Sequence, residues 1–273
     1  MNRIFNDLVA LFDWRTGMVL RRNAKVYMRN WKTAFLPPAM EPVIFFMAFG
    51  MGLGAFIGMM NYEGHEVEYG TYVAPGLLAY TSFSSSFFEG LYGSYIRMFY
   101  QKTWDGMLGT QLELRHILWG EIIWAGCRGG MNATVVMVVL FIFHSLDLIN
   151  IYWEKMFFLL PVCFLAGWAF GSFAMIFTAI VPSIDHMNYP VFLIGIPLGL
   201  VSNTYFPLEA RSPAFEDYLQ LNPLYHLAEL NRGILLSGEW MPHFIGLLLS
   251  GGTLLLFCML ISQRLMERRL LED

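Results

Sequence analysis

Charge is scarce in this sequence. Only 14% of the 273 residues are Asp, Glu, Lys or Arg, whereas a soluble globular domain carries about 25%. Cysteine is scarce too. Cys127, Cys163 and Cys258 are widely separated and each sits in an apolar run, so they form no disulfide framework and no redox or metal spacing. The six histidines lie in loops or at the ends of apolar runs, without the mid-run pairing that haem ligation needs. There is no H-E-x-x-H, no G-x-S-x-G and no clustered Asp motif, so no metal or catalytic residue is expected. Lys102-Thr103 follows Tyr100-Gln101 rather than the glycine cradle of G-x-x-x-x-G-K-[ST]. The chain thus has no nucleotide loop of its own. Nucleic acid is not an expected partner, and no signal-peptide pattern precedes the first long apolar run near Phe35.

What the chain has instead is apolar length. Hydrophobic residues make up 56% of it, gathered in runs of the size a membrane span needs, about 20 residues. Six such runs fall at about 35–56, 73–96, 117–142, 157–181, 189–205 and 244–264. The fifth is short and contains Pro190 and Pro197, which predicts a tilted, broken or partly re-entrant element. The stretch from Phe206 to His243 is too long for a simple loop. It shows helical patterning over 213–221 and 224–236, interrupted at Asn222-Pro223. The fold class expected is therefore an all-α integral membrane protein.

Residues 1–34 form a separate segment. Ile4, Phe5, Leu8, Leu11 and Phe12 make one apolar stripe, and Leu20, Ala24, Tyr27, Met28 and Trp31 make a second after a break near Thr16-Gly17. Arg22, Lys25, Arg29 and Lys32 line another face. A helix with basic and aromatic faces suits the membrane interface. Residues 35–273 then make up the spanning domain. With the N-terminus inside, the inner segments hold thirteen Lys and Arg and the outer ones only Lys155, Arg211 and Arg232. That bias predicts both termini in the cytoplasm. Gly126 with Gly130 and Gly167 with Gly171 repeat at a spacing that lets helices approach closely, within one chain or between two.

Ionisable groups inside a span are costly and mark functional candidates. Arg128 is the deepest, with Glu121 seven residues earlier on nearly the same face. Glu41 and Glu89 fall at similar depth, and a pairing of Arg128 with one or more of these acids is expected, either structural or in contact with cargo. The second run is rich in hydroxyls and aromatics. Tyr80, Ser84, Phe87, Phe88 and Tyr92 could line a path for an amphipathic substrate or serve helix packing. The turn over 97–109 reads as a short amphipathic helix. Gln101, Lys102, Thr103, Trp104, Asp105, Met107 and Leu108 suit docking on a partner, and equally a lipid-facing turn.

These features together resemble the type-2 ABC-transporter permeases, the membrane subunits of bacterial exporters. The resemblance spans nearly the whole chain. It is carried by Gly50-Met51-Gly52-Leu53-Gly54, Tyr72-Val73-Ala74-Pro75-Gly76-Leu77 and Thr103-Trp104-Asp105-Gly106-Met107-Leu108-Gly109. Phe206-Pro207-Leu208-Glu209 and Leu221-Asn222-Pro223-Leu224-Tyr225-His226 with Arg232 continue it. The nearest branch is that of nodulation lipo-oligosaccharide exporters. The resemblance implies a homodimer in a bacterial inner membrane, bound to two cytoplasmic ATPase subunits that hold ATP and Mg. It implies that 97–109 is a coupling helix and that 208–240, with Pro207, Glu209, Asn222, Pro223 and Arg232, forms a re-entrant hairpin on the outer side. A pathway between subunits would be lined by spans one, two and five. The cargo would be a glycolipid, lipo-oligosaccharide, polysaccharide or drug. Gln111 stands where the family often has proline. Two other functions compete: an ion- or proton-coupled transporter using Glu41, Glu89, Glu121 and Arg128, and a membrane enzyme acting on lipid.

Overall fold

The chain starts with two short helices because Asp13 interrupts the apolar repeat and caps the second of them. The structure, a computed structural model, describes residues 2–31, 40–208 and 217–271. Helix α1 covers Asn2–Val9 and α2 covers Trp14–Arg29. The Asp13 carboxylate accepts the Arg15 backbone N–H at 2.9 Å, satisfying a free donor of the first turn. The break therefore falls at Asp13, not at the expected Thr16-Gly17. Thr16, Val19 and Asn23 form one buried stripe of α2, while Trp14, Met18, Met28, Arg21, Lys25 and Arg29 stay exposed.

Helix α3, Met40–Ile57, is apolar and largely uncovered by the rest of the chain. Strands β1, Met59–Tyr62, and β2, His65–Glu68, then pair antiparallel, Met59 with Glu68 and Tyr62 with His65. This hairpin was not expected. Its two-residue turn needs positive φ at both positions, and Glu63 and Gly64 adopt 47° and 82°. Helix α4, Tyr69–Phe88, continues through π-helical turns at Glu89–Gly93 and Ile96–Tyr100. The short α5, Thr103–Leu108, leads to α6, Leu114–Ser145, and then α7, Leu159–Ile180. Residues 188–200 form a broken helix with a π-helical centre, Val191–Gly195, as its two prolines predict. Helices α8, Pro223–Leu236, and α9, Met241–Leu271, complete the chain.

Among the described residues, four helices are long and apolar enough to cross a membrane: Met40–Ile57, Leu114–Ser145, Trp153–Ile180 and Met241–Leu270. They match the first, third, fourth and sixth expected runs. Helix α4 falls outside this set for a physical reason. It is enclosed on nearly all sides, with most of its residues buried by neighbouring helices, and an enclosed helix can be polar where its hydroxyls find partners. Ser82 Oγ donates to the Cys163 carbonyl at 3.0 Å. Around it, α6 and α7 meet backbone to backbone: a Cβ placed on Gly167 would come 2.8 Å from Gly126 Cα. The small-residue pairs on α6 and α7 thus pack within one chain.

Candidate functional site

The deepest charges gather where α2, the π-helical end of α4 and α6 converge. Glu121 on α6 is fully buried. Arg97 Nε donates to both its oxygens at 3.0 and 2.9 Å, and Arg97 Nη2 joins the same carboxylate. Ser94 Oγ donates at 3.0 Å and Asn23 Nδ2 at 3.2 Å. Glu89 Oε1 accepts from Arg97 Nη1 at 2.8 Å and from Trp124 Nε1 at 2.9 Å. Its other oxygen lies 3.3 Å from Arg128 Nε. Arg128 also stands over the Tyr27 ring, 4.5 Å from its centroid. Regular α-helix would set Glu89 and Arg97 about 80° apart. The extra residue of a π-helical turn offsets most of that angle and brings both onto one face.

The expected pairs are therefore partly redrawn. Arg128 does meet an acid, Glu89, but not Glu121. Seven residues of helix keep those two on one face yet about 10 Å apart along the axis, too far for contact. Glu121 belongs to Arg97, which the sequence had placed in the cytoplasmic turn. Glu41 does not join the cluster. It lies near Tyr80 and Tyr205 and no charged residue stands close to it among the described ones.

The turn beyond the cluster is also shorter than expected. Residues 97–100 continue the α4 run, and the chain breaks at Gln101-Lys102, where Lys102 adopts φ 50°. Only α5, Thr103–Leu108, is a separate helix. Gln101, Lys102 and Asp105 are exposed, Thr103, Met107 and Leu108 are half-covered, and Trp104 is fully buried. Trp104 is thus an anchor beneath the turn rather than part of its outer surface. Arg22 ties the turn to α2. Its Nη2 donates to Thr103 Oγ1 at 3.1 Å and its Nη1 to Asn23 Oδ1 at 3.0 Å. A cavity of about 280 Å³ opens here, lined by Arg22, Tyr27, Glu89, Gln101 and Arg128 among others. Three guanidinium groups and one carboxylate line it, so it carries a net positive charge.

The candidate pathway residues divide. Phe88 is exposed and stacks on half-covered Tyr92, with centroids 6.1 Å apart. Tyr92 OH donates to Asn188 Oδ1 of the broken helix at 3.2 Å. Tyr80 packs between Phe45, Phe83 and Tyr205. Ser84 and Phe87 are buried, Ser84 bonding the Thr81 carbonyl at 3.3 Å and Phe87 packing on Phe83. Tyr80 therefore faces α3, Tyr92 faces the broken helix and Phe88 lies exposed beside it, while Ser84 and Phe87 serve the core.

A second cluster lies at the other end of α4. Arg232 on α8 is fully buried. It pairs with Glu229 one turn earlier, and its Nε donates to the Tyr72 carbonyl at 3.0 Å. Its Nη2 donates to the carbonyls of Asn203 and, at 2.9 Å, Thr204. The Tyr72 ring lies 3.9 Å from the guanidinium carbon. Gly76 makes room: a Cβ there would sit 2.1 Å from the Thr204 oxygen. Glu229 also accepts from Asn203 Nδ2 at 3.3 Å and Tyr62 OH at 3.4 Å. Asn222 caps α8, accepting from Leu224 N at 3.0 Å, and donates to Ser202 Oγ at 2.7 Å. Pro223 opens the helix, and Pro207 is half-covered at the end of a described segment. Glu209 lies outside the described residues. Arg232 is thus a buried tie and not a loop charge.

Sequence reasoning missed Arg97, Asn23, Tyr27, Tyr72 and Glu229. Only Glu229 left a signal, an acid one turn before Arg232.

A family model described as ABC-2 type transporter matches residues 15–236. The chain is 31% identical over 277 aligned positions to Nodulation protein J of Neorhizobium galegae, covering all of both chains. It is 30% identical to Nodulation protein J of Rhizobium meliloti (strain 1021), over 94% of this chain and 95% of that one. A more distant relative, the Inner membrane transport permease YadH of Escherichia coli (strain K12), is 24% identical over 74% of this chain and 75% of its own.

Proposed function

The chain belongs to the ABC-2 type transporter family, and from that premise we propose that it is the membrane permease of an exporter driven by a separate ATPase. In this reading it works as a homodimer in a bacterial inner membrane, with two copies of a cytoplasmic ATPase holding ATP and Mg. Six spans are formed by the four long apolar helices, α4 and the broken helix over 188–200. Helix α2 lies along the inner surface, α8 belongs to a re-entrant outer hairpin, and both termini are cytoplasmic. The cargo is amphipathic: a glycolipid, lipo-oligosaccharide, polysaccharide or drug.

The observation that carries this reading is the placement of α5. An exposed helical turn, with Gln101, Lys102 and Asp105 outward, is tied through Arg22 to α2 and connects directly to the Arg97 run of α4. A push on α5 from a partner would reach the charge cluster through covalent and hydrogen-bonded links. ATP would favour one arrangement of the dimer and nucleotide release another. The uncovered faces of α3, Phe88, Phe192 and Leu193 supply apolar surface for a second subunit and a cargo path between the two.

An ion-coupled mechanism finds less support, because Glu89 and Glu121 are already neutralised by Arg97 and Arg128. The test is co-purification from detergent with ATPase assays on what binds. Asp105→Ala is expected to weaken ATPase association while membrane insertion stays intact. Trp104→Ala is a poorer probe, because removing a buried Trp costs about 3–5 kcal/mol of stability. Undiminished association in the Asp105 variant would remove the docking role from α5. Cargo transport by the purified chain with no ATPase present would sink the reading.

A further inference from the structure

A cavity of about 660 Å³ lies between α8, the start of α9 and the β1–β2 turn, lined by Tyr225, His226, His243, Glu63 and Glu239 among others. None of these residues takes part in the charge clusters above. His226 Nε2 lies 2.7 Å from the Gln220 carbonyl oxygen. A carbonyl only accepts, so Nε2 carries the proton and the lone pair of the neutral ring is on Nδ1. That Nδ1 faces His243 Nδ1 at 3.4 Å. Two imidazole nitrogens bound tetrahedrally to one zinc-like ion at about 2.05 Å would stand about 3.3 Å apart. The spacing already present is that of a ligand pair.

We propose that His226 and His243 form a two-imidazole site for a divalent transition-metal ion. The hydrogen bond behind His226 is the support that metal-binding histidines usually have, fixing ring and tautomer. Packing holds the rings as well. A Cβ on Gly246 would come 2.3 Å from His226 Cε1, and Tyr225 lies 5.2 Å from the His226 ring and 5.5 Å from that of His243. Among the described residues no group of three His, Cys, Asp or Glu could hold a metal. The remaining positions therefore go to water or to a donor from outside the chain. Glu63 and Glu239 on the same wall offset the ion's charge. Imidazole ligands without thiolates suit zinc, copper and nickel rather than calcium or magnesium. Without metal, His243 Nδ1–H donates to His226 Nδ1. On binding, that proton moves to His243 Nε2, so none is released.

The test uses the full-length chain purified without a polyhistidine tag and placed in lipid nanodiscs. Substoichiometric Cu²⁺ is expected to give an electron paramagnetic resonance spectrum with coupling to two nitrogens. Zn²⁺ should compete for the same site. His243→Gln, at the half-buried start of α9, should weaken binding by about tenfold or more, since even losing an outer-shell partner costs that much. The double variant with His226→Gln should lose the site. His65→Gln, on β2, serves as the control and should leave binding unchanged. A single-nitrogen spectrum in the unaltered chain, or equal affinity in the folded double variant, would reduce the pair to a plain hydrogen bond and overturn the proposal.

Discussion

The two arginine clusters at opposite ends of α4 solve the same problem in different ways. Around Arg232, one guanidinium meets one carboxylate and three backbone carbonyls, with nothing exposed. Around Arg97 and Arg128, two guanidinium groups share two carboxylates, and a third from Arg22 stands nearby beside an open cavity. Backbone carbonyls cannot swap partners without unfolding the segments that carry them. Side-chain pairs can, because Glu89 already serves two arginines and could serve either alone. The Arg232 cluster is thus tied to backbone, whereas the Arg97 cluster is held by side-chain pairs that can exchange.

The largest effect that would sharpen this contrast comes from Arg232→Met. It leaves Glu229 charged, buried and unpaired, a defect that typically costs about 3–5 kcal/mol. Loss of monodisperse protein on size-exclusion chromatography is expected, with partial recovery when Glu229→Gln is added. A stable Arg232→Met protein would break the claim that this end is fixed. Glu121→Gln comes next. Arg97 keeps Glu89, so the loss is that of a charge-assisted bond, about 1.5–3 kcal/mol, read as a lower melting temperature of a protein that still assembles. Arg128→Ala ranks lower. Arg128 meets Glu89 at 3.3 Å and the Tyr27 ring, and Glu89 keeps Arg97 when Arg128 is removed, so about 1–2 kcal/mol is at stake. The expected outcome is normal assembly with reduced transport. Failure to assemble would make the Arg97 cluster as structural as the Arg232 one.

Much of this architecture could be read from hydropathy. The four long helices are apolar enough to announce themselves, and Pro190 and Pro197 announced a broken one. Helix α4 was legible as a helical run but not as the enclosed centre, since Ser82 pairs with the Cys163 carbonyl and Ser85 with Asn132, both on helices remote in sequence. The Arg97 cluster was half legible. Arg128, Glu121 and Glu89 stood out because charge inside apolar runs is rare. Arg128 does pair with one of the acids, Glu89, but Glu121 proves to belong to Arg97. Two reasons account for that. Helical rise separates Glu121 from Arg128, and the π-helical turns carry α4 beyond its predicted end, taking Arg97 from the turn into the bundle. No periodicity in a single sequence shows a π-helical turn. Trp104 was misplaced for a related reason: an aromatic in a loop reads as exposed until tertiary packing covers it. The Tyr72 and Asn203 carbonyls around Arg232 carry no side-chain signal at all.

The smallest expected change in stability is also the sharpest test of whether the Arg97 cluster transmits motion. Arg22 has no carboxylate partner among the described residues, and its contacts are Asn23 and Thr103. Arg22→Gln should therefore alter stability by only about 0.5–1 kcal/mol, the net worth of an ordinary hydrogen bond. If the Arg22–Thr103 bond carries displacement from α5 to α2, the same variant should lower ATP-dependent transport several-fold while ATPase association is retained. Thr103→Ala should reproduce that loss, because it removes the other end of one bond. The double variant should then be no worse than either single one, since residues acting through a shared contact do not add. Additive losses would mean that Arg22 and Thr103 act separately, and the Arg97 cluster would then be a packing device like its counterpart at Arg232.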